Sequence, residues 1–248
     1  MKKADLQEFA RDVRKEIVKM VATAGSGHPG GSLSSVDLLT VLFCKVMRYK
    51  AEKPDWPERD RFVLSKGHAA PVLYAILAKR GYFPEETLAS FRKLGSILQG
   101  HPDSKKVPGV EVSTGSLGQG LSIAGGMALG LKKQNYPARV FVLLGDGELQ
   151  EGQVWEAAMA ISHFQLNNLV AMVDNNNLQI DGTCQEVMNI YPIEDKFKAF
   201  GWEVITLNGH DFKEIELAFD QALSSAKPTV LVAKTVKGKG VSYMENKV

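Results

Sequence analysis

Cysteine is scarce in this sequence. Only 2 of the 248 residues are cysteines, Cys44 in an apolar helical pattern and Cys184 in a predicted loop. Two cysteines do not form the disulfide framework of a small secreted protein, so both are expected to be reduced thiols. The N-terminal segment also lacks the apolar stretch of a signal peptide. A cytoplasmic location is therefore expected.

Long apolar runs and an excess of one charge are missing too. No stretch of about 18 consecutive apolar residues occurs, so no membrane span is predicted. The 30 Lys and Arg residues and the 28 Asp and Glu residues give a formal net charge of +2 and are spread along the chain. This balance offers no electrostatic basis for binding nucleic acid or a membrane surface. Neither kind of partner is expected.

Short apolar runs alternate with helical patterns along the chain. Helical spacing predicts one amphipathic helix over residues 6–21 and a second helix that carries Val36 and Phe43 and is capped by Ser32 or Ser34. Runs rich in β-branched residues predict five buried strands, at 61–65, 139–144, 168–173, 203–207 and 229–233. Such alternation predicts an α/β fold with a doubly wound, mainly parallel sheet flanked by helices, in a single domain over 1–248.

One predicted helix, over residues 118–131, is rich in glycine and alanine. Each glycine weakens a helix by up to about 1 kcal/mol, a cost that is tolerated where two backbones must approach closely. The helix is therefore expected to be buried against another element or another subunit.

Polar residues follow two of the predicted strands. Gly145, Asp146, Gly147 and Glu148 follow one strand, and an Asn-rich segment at 174–177 follows the next. A Gly-Asp-Gly sequence alone is a common turn. A carboxylate and a carboxamide at adjacent strand ends, however, suit Mg²⁺ or a similar cation that also grips phosphate oxygens. The glycines allow an anion to approach the backbone at a helix N-terminus.

Four of the five histidines follow glycine: His28, His68, His101 and His210. Glycine permits sharp loops that direct an imidazole into a cleft, although a loop histidine is often simply exposed. The spacings of zinc sites are absent from the sequence. His210 is expected to cap or orient the helix that follows it. His163 is expected to be structural, at the end of a helix over 152–164.

The ordered motifs of the chain resemble the transketolase family. They are Gly-Ser-Gly-His-Pro-Gly-Gly at 25–31, Ser-Lys-Gly-His at 65–68, Gly-His-Pro at 100–102, Ser-Thr-Gly-Ser-Leu-Gly-Gln-Gly at 113–120, Gly-Asp-Gly at 145–147 and the segment 174–182. The resemblance covers residues 10–240. It implies the thiamine-diphosphate-binding fold, in the version that binds the diphosphate.

The resemblance also implies roles for individual residues. His28 and His101 are expected to face the substrate as catalytic residues. Metal binding is assigned to Asp146, Asn176 and the carbonyl of Leu178. The residues expected to contact thiamine diphosphate are His68, Gly115, Ser116, Leu117, Gly145, Asp146, Gly147, Glu148 and Asn176. Glu151 and Glu156 match acidic positions near the family's subunit interface, although carboxylates also simply favour a helix N-terminus.

The resemblance further implies a partner. Thiamine diphosphate needs a glutamate against its aminopyrimidine ring, and transketolases supply it from a second, pyrimidine-binding domain. That domain is not present in these 248 residues. We therefore expect a split transketolase, a dimer of heterodimers with a C-terminal subunit, that moves a two-carbon ketol unit between sugar phosphates. The alternatives are a subunit of a deoxyxylulose-phosphate synthase or 2-oxoacid dehydrogenase, or a module that binds cofactor without catalysis.

Overall fold

The structure is a computed structural model that describes residues 3–247. Its helices are α1 (Lys3–Ala24), α2 (Pro29–Ser34), α3 (Val36–Val41), α4 (Ala70–Lys79), α5 (Gln119–Lys133), α6 (Gly152–His163), α7 (Cys184–Val187), α8 (Ile193–Ala199) and α9 (Phe212–Ser224). Its strands are β1 (Arg61–Leu64), β2 (Val140–Gly145), β3 (Leu169–Asn175), β4 (Leu178–Gln179), β5 (Gly182–Thr183), β6 (Glu203–Asn208) and β7 (Thr229–Lys234). All five predicted strands are present.

Within residues 3–247, five parallel strands form one sheet in the order β1-β2-β3-β7-β6. Successive side chains of a strand point to opposite faces. In β2, Phe141 and Leu143 pack with α1, α3, α4 and α9 on one face, whereas Val140, Val142 and Leu144 pack with α5, α6 and α8 on the other. Helices thus cover both faces, and the predicted doubly wound α/β fold is confirmed.

The register of the sheet aligns the carboxyl ends of its strands. Leu64 pairs with Leu143, Gly145 pairs with Asp174, and Asp174 pairs with Ala233. The segments that follow β1, β2, β3 and β7 therefore begin at the same edge. This is the edge at which ligands bind in open α/β sheets.

The helix predicted around Val36 and Phe43 differs from the structure. It begins earlier, at Pro29, whose fixed φ suits a first helical turn, and it is broken into α2, α3 and a π-turn over Leu42–Val46. The predicted caps were wrong because Ser32 and Ser34 lie inside α2. The Ser34 hydroxyl instead donates to Asp174, 2.6 Å away in the sheet.

One other local prediction was wrong, and another was wrong in part. Cys184 is not in a loop but begins α7, where it is fully buried. His210 does not cap α9, because the side chain of Asp211 accepts the hydrogen bonds from Lys213 and Glu214 there. His163 does end α6 as predicted, and both cysteines are free thiols.

The glycine-rich helix α5 is closely packed on one side. A Cβ at Gly120 would lie 2.7 Å from the Cα of Ser65, and one at Gly125 would lie 2.9 Å from Ile161 in α6. This confirms that α5 is packed against other elements. Gly126 and Gly130 face open space in this chain. None of the helices in residues 3–247 is long and apolar enough to cross a bilayer.

Candidate active site

Asp146 joins the ends of β2 and β3. Its Oδ1 accepts a hydrogen bond from the amide of Gly147 at 2.8 Å, and its Oδ2 accepts one from the amide of Asn177. The amide oxygen of Asn176 accepts from the Leu178 amide at 3.1 Å. The three residues expected to hold a metal, Asp146, Asn176 and Leu178, therefore meet in one small region. Burial, together with the nearby charge of Asp174, raises the pKa of Asp146 to about 6.

A buried ion pair lies directly beneath this region. Lys66, after β1, donates through Nζ to Asp174 and to the carbonyl of Gly31 at 2.8 Å. Asp174 is fully buried and also accepts from the hydroxyls of Ser34 and Thr235. Burial alone would raise the pKa of Asp174, but Lys66 and these hydroxyls keep it below its usual value. We call Lys66, Asp146 and Asp174 the site floor.

Sequence reasoning missed the Lys66–Asp174 pair. The available signal was a lysine immediately after an apolar strand, but the nearest acidic residues in sequence do not pair with it. Its partner lies 108 residues away. A lysine is almost never fully buried unless it is paired, so the interaction can be recognised only once the strand order is known.

Glu148 is also buried, and its carboxylate is directed into the protein. It accepts hydrogen bonds from the Ser65 hydroxyl, from the amide of Gly118 at 2.9 Å and from the amide of Gly145 at 3.1 Å. Burial raises the pKa of Glu148. The side chain thus ties together the segments after β1 and β2 and the start of α5. Its expected contact with a cofactor stays a prediction.

Three of the four histidines that follow glycine converge above the site floor. The rings of His28 and His68 meet edge to face with centroids 5.5 Å apart. The ring of His101 lies against Gly115, where an added Cβ would be 3.0 Å from it. His28 and His101 are exposed at the mouth, whereas His68 is half-buried below them. We call His28 and His101 the histidine rim.

Two imidazoles of this group, those of His28 and His68, favour the neutral form. Burial, followed by the charge of Lys66, lowers the pKa of His68 to about 3. Burial also lowers the pKa of His28, with further contributions from Arg92 and His101. A neutral imidazole can both donate and accept hydrogen bonds. His68 and His28 therefore suit contacts with uncharged hydroxyls or with an anion that accepts a hydrogen bond.

Lys237 is a second cation at the site that sequence reasoning did not identify. Its side chain lies over Gly30, where an added Cβ would be 3.0 Å from Cγ and 3.1 Å from Cε. Burial lowers the pKa of Lys237, and the nearby charge of Asp146 opposes that shift. Lys66 and Lys237 thus both lie close to the strand ends.

The site has the features of an anion cradle. Within residues 3–247, the buried Nε2 of Gln179 and the buried hydroxyl of Thr114 have no hydrogen-bond partner. Gln179 packs beside Gly147, and Thr114 directly precedes Gly115. A Cβ at Gly31 would stand 3.4 Å from the Nε2 of His68. The cations of Lys66 and Lys237, these unpaired donors and the open backbone at Gly31 together fit a diphosphate.

The set of possible metal ligands is small. No group of three or more His, Cys, Asp or Glu side chains in the described part of the chain is arranged to hold a metal ion. Asp146 and Asn176 therefore suit a cation that takes its remaining ligands from backbone carbonyls, water or a bound anion. Hard, oxygen-preferring ions bind in this way.

The other predicted residues lie around this centre. Ser116 is exposed and Leu117 half-buried, in the loop that joins Gly115 to α5. Glu151 and Glu156 are exposed at the beginning of α6, and Glu151 packs against Gly118. These two glutamates therefore lie on the outer surface and not among the strand ends.

The sequence matches the family described as "Transketolase, thiamine diphosphate binding domain" over residues 6–248. The chain belongs to this family. It is 45% identical over 245 residues to the 6-deoxy-6-sulfo-D-fructose transketolase subunit of a Clostridium species, covering 98% of this chain and 89% of the relative. It is 46% identical to an apulose-4-phosphate transketolase subunit of Phocaeicola vulgatus, covering 94% of this chain and 83% of the relative.

A solved transketolase has the same fold. The enzyme from Campylobacter jejuni superposes with a TM-score of 0.94 at 38% identity, over 99% of this chain and 40% of that enzyme. The chain therefore corresponds to about two fifths of that transketolase and to most of the two related subunits. The expected membership of the transketolase family is confirmed.

Proposed function

We propose that this chain is the N-terminal subunit of a thiamine-diphosphate-dependent transketolase. It transfers a two-carbon ketol unit from a ketose phosphate to an aldose phosphate, together with a C-terminal partner subunit. One observation carries the proposal: Asp146 and the segment Asn176–Leu178 meet at one sheet edge, above Lys66 and below three histidines. Two relatives named as transketolase subunits support the division into subunits.

In this proposal the strand ends hold the cofactor. Asp146, Asn176 and the carbonyl of Leu178 would hold Mg²⁺, or Ca²⁺ in its place, and the ion would offset the negative charge of the diphosphate. His68, the Gly147 backbone and Lys237 contact the diphosphate, while Gly115, Ser116 and Leu117 line the thiazolium portion. When bound, thiamine diphosphate supplies the carbon nucleophile and the electron sink for the carbon–carbon bond chemistry.

The histidine rim acts on the sugar. His28 and His101 lie at the mouth of the site, above the half-buried His68. They hydrogen-bond the hydroxyls of the ketose and hold a proton near the carbonyl oxygen, where charge develops. The donor is an anionic ketose; the names of the two relatives include both a sulfonated and a phosphorylated sugar.

The partner subunit completes the active site. It carries the pyrimidine-binding domain and the glutamate that promotes deprotonation of the cofactor. Glu151 and Glu156, exposed at the start of α6, lie at the interface and couple the two sites of a dimer of heterodimers. Residues 1–248 act as one cofactor-binding domain; residues 1–2 and 248 of it lie outside the described part of the structure. The assembly is cytoplasmic.

The test is reconstitution with Asp146→Ala. The isolated chain is expected to be inactive, and addition of the partner, thiamine diphosphate and Mg²⁺ is expected to restore ketol transfer. Asp146→Ala lowers cofactor affinity and activity by about 100-fold or more, because a metal ligand and the link between two strand ends are lost together. Asp181→Ala, at an exposed carboxylate between β4 and β5, is the matched control. Unchanged activity of Asp146→Ala would refute the assignment.

A further inference from the structure

The loop that carries Lys237 is anchored by parts of the chain far from it in sequence. We call residues 235–240 the Lys237 loop. The amide of Gly238 donates to the carbonyl of Gly30 at 3.0 Å, and the carbonyl of Lys239 accepts from the Nε of Arg14 in α1 at 3.0 Å. The amide of Val236 donates to the Nε2 of His210 at 2.8 Å. Val236 directly precedes Lys237, so this bond acts closest to the side chain at the site.

The geometry fixes the protonation state of His210. A backbone amide can only donate, so the Nε2 that faces Val236 must be unprotonated. The Nδ1 lies 2.8 Å from the carboxylate of Asp37 in α3 and therefore carries the proton. His210 is thus a neutral imidazole in one tautomer, and its acceptor nitrogen is aimed at the Lys237 loop. A carboxylate that orients a histidine in this way is a common supporting arrangement at functional sites.

Asp37 is itself held firmly. It is buried, and both its oxygens accept hydrogen bonds from the guanidinium of Arg14, at 3.0 and 2.6 Å. Burial alone would raise the pKa of Asp37, but His210 and Arg14 hold it below its usual value. The same Arg14 also binds the carbonyl of Lys239. The Lys237 loop is therefore held at Val236 by His210 and at Lys239 by Arg14, on either side of Lys237, and Asp37 binds both of these side chains.

We propose that His210 is a positioning residue for the diphosphate site, because it fixes the amide of Val236 and thereby places the ammonium of Lys237. The inference rests on the proposed function, in which Lys237 contacts the diphosphate. His210 touches neither cofactor nor substrate and acts only through the loop. A role in packing alone would affect the stability of the fold without a specific link to Lys237.

The first experiment is a double-mutant cycle in the reconstituted complex, read out as the dissociation constant for thiamine diphosphate with Mg²⁺. His210→Ala and Lys237→Met are each expected to raise this constant about tenfold, the scale of one hydrogen bond or charged contact. The double variant is expected to resemble Lys237→Met alone, because residues that act through one another are not additive. At saturating cofactor, kcat of His210→Ala stays within about twofold of wild type.

A second comparison separates the acceptor role from packing. The amide oxygen of His210→Gln can reach the position of Nε2 and accept from Val236, whereas His210→Asn is too short. His210→Gln is expected to recover most of the lost affinity, and His210→Asn to stay as weak as His210→Ala. His163→Ala, at an exposed histidine that ends α6, is the control and binds cofactor as wild type does. This comparison remains decisive even if His210→Ala folds poorly.

The outcomes distinguish the two proposals. A wild-type complex that binds no thiamine diphosphate overturns the proposed function itself. A wild-type complex that binds it, with His210→Ala as tight as His163→Ala, overturns only the role of His210. Additive effects of His210→Ala and Lys237→Met overturn it as well, as does equal affinity of His210→Gln and His210→Asn.

Discussion

The site floor and the histidine rim lie close together but are built in opposite ways. In the floor, Lys66 and Asp174 are 1% and 0% exposed, and Asp174 accepts hydrogen bonds from several elements. In the rim, His28 and His101 are exposed, and neither ring hydrogen-bonds to another described residue. The floor is a fixed charge distribution that exists before a ligand arrives, whereas the rings of the rim lack such internal hydrogen bonds in the described part of the chain.

The largest expected effect is a loss of stability when the ion pair of the site floor is disrupted. Lys66→Met leaves Asp174 as a buried charge without its cation, and removal of one member of a buried pair costs about 3–5 kcal/mol. Urea denaturation of the chain should show the free energy of unfolding reduced by this amount. Lys198→Met is the control, because its pair with Asp195 is exposed and should contribute less than about 1 kcal/mol. Equal losses in the two variants would contradict the distinction.

The next effect concerns the rim. His101→Ala removes an exposed imidazole, so the free energy of unfolding should change by less than about 0.5 kcal/mol. In the complex, kcat/KM should fall about 100-fold, near 2.7 kcal/mol, because the hydrogen bond to the reacting sugar that the proposed function gives to His101 is lost. Steady-state ketol-transfer kinetics measure this, with His163→Ala as the matched control. A large loss of stability without loss of kcat/KM would reverse the roles of floor and rim.

A third variant tests how floor and rim are joined. A Cβ at Gly67 would lie 2.7 Å from the amide nitrogen of Gly115, which packs against the ring of His101. Gly67→Ala must therefore shift backbone, and we expect a loss of about 1–3 kcal/mol in the free energy of unfolding together with reduced activity.

The control for Gly67→Ala is Gly126→Ala. Gly126 lies within α5 with nothing near its Cβ position, so alanine there should stabilise the chain by up to about 1 kcal/mol. Denaturation curves of the two variants should shift in opposite directions. A shift in the same direction would show that Gly67 is not needed for the close approach.

The smallest expected effect is a pH dependence of the free energy of unfolding. It arises from His68, which lies between the site floor and the histidine rim. His68 has a pKa lowered to about 3, from an ordinary value of 6.5. Between these values the unfolded chain binds a proton that the folded chain does not, so the free energy of unfolding falls as pH decreases below 6.5. His68→Gln should show a shallower dependence, by at most about 1.4 kcal/mol per pH unit. Urea titrations from about pH 7 to pH 5 would reveal it, and equal slopes would contradict it.

Local pattern was enough to predict the sheet, because each buried parallel strand is a short apolar run between polar turns. The five strands agree with the sequence prediction to within two residues at either end. Local pattern could not predict that α2 begins at Pro29 and that its Ser34 turns towards Asp174. The serine positions resemble helix caps, and only the tertiary structure supplies the competing acceptor.

The site was also predicted only in part, because local pattern identifies polar residues at strand ends but not partners that are distant in sequence. Asp146 and Asn176 follow adjacent strands, so their proximity follows from the strand order. The pairs Lys66–Asp174 and Asp37–His210 join residues 108 and 173 positions apart. A charged residue in an apolar segment has many possible partners in sequence, and the fold alone selects one. Cys184 was misplaced because the local capping box of Thr183 and Glu186, which begins α7, was overlooked.

The alignment of Gly145, Asp174 and Ala233 across three neighbouring strands has a practical consequence. The hydrogen bonds between the strands fix their register. The position at which each loop begins therefore does not depend on the residues of that loop. Loops from a related enzyme can therefore replace the loops that follow these three residues, and they will begin at the same positions in the sheet. In the proposed function, cofactor affinity can then be varied loop by loop on an unchanged scaffold.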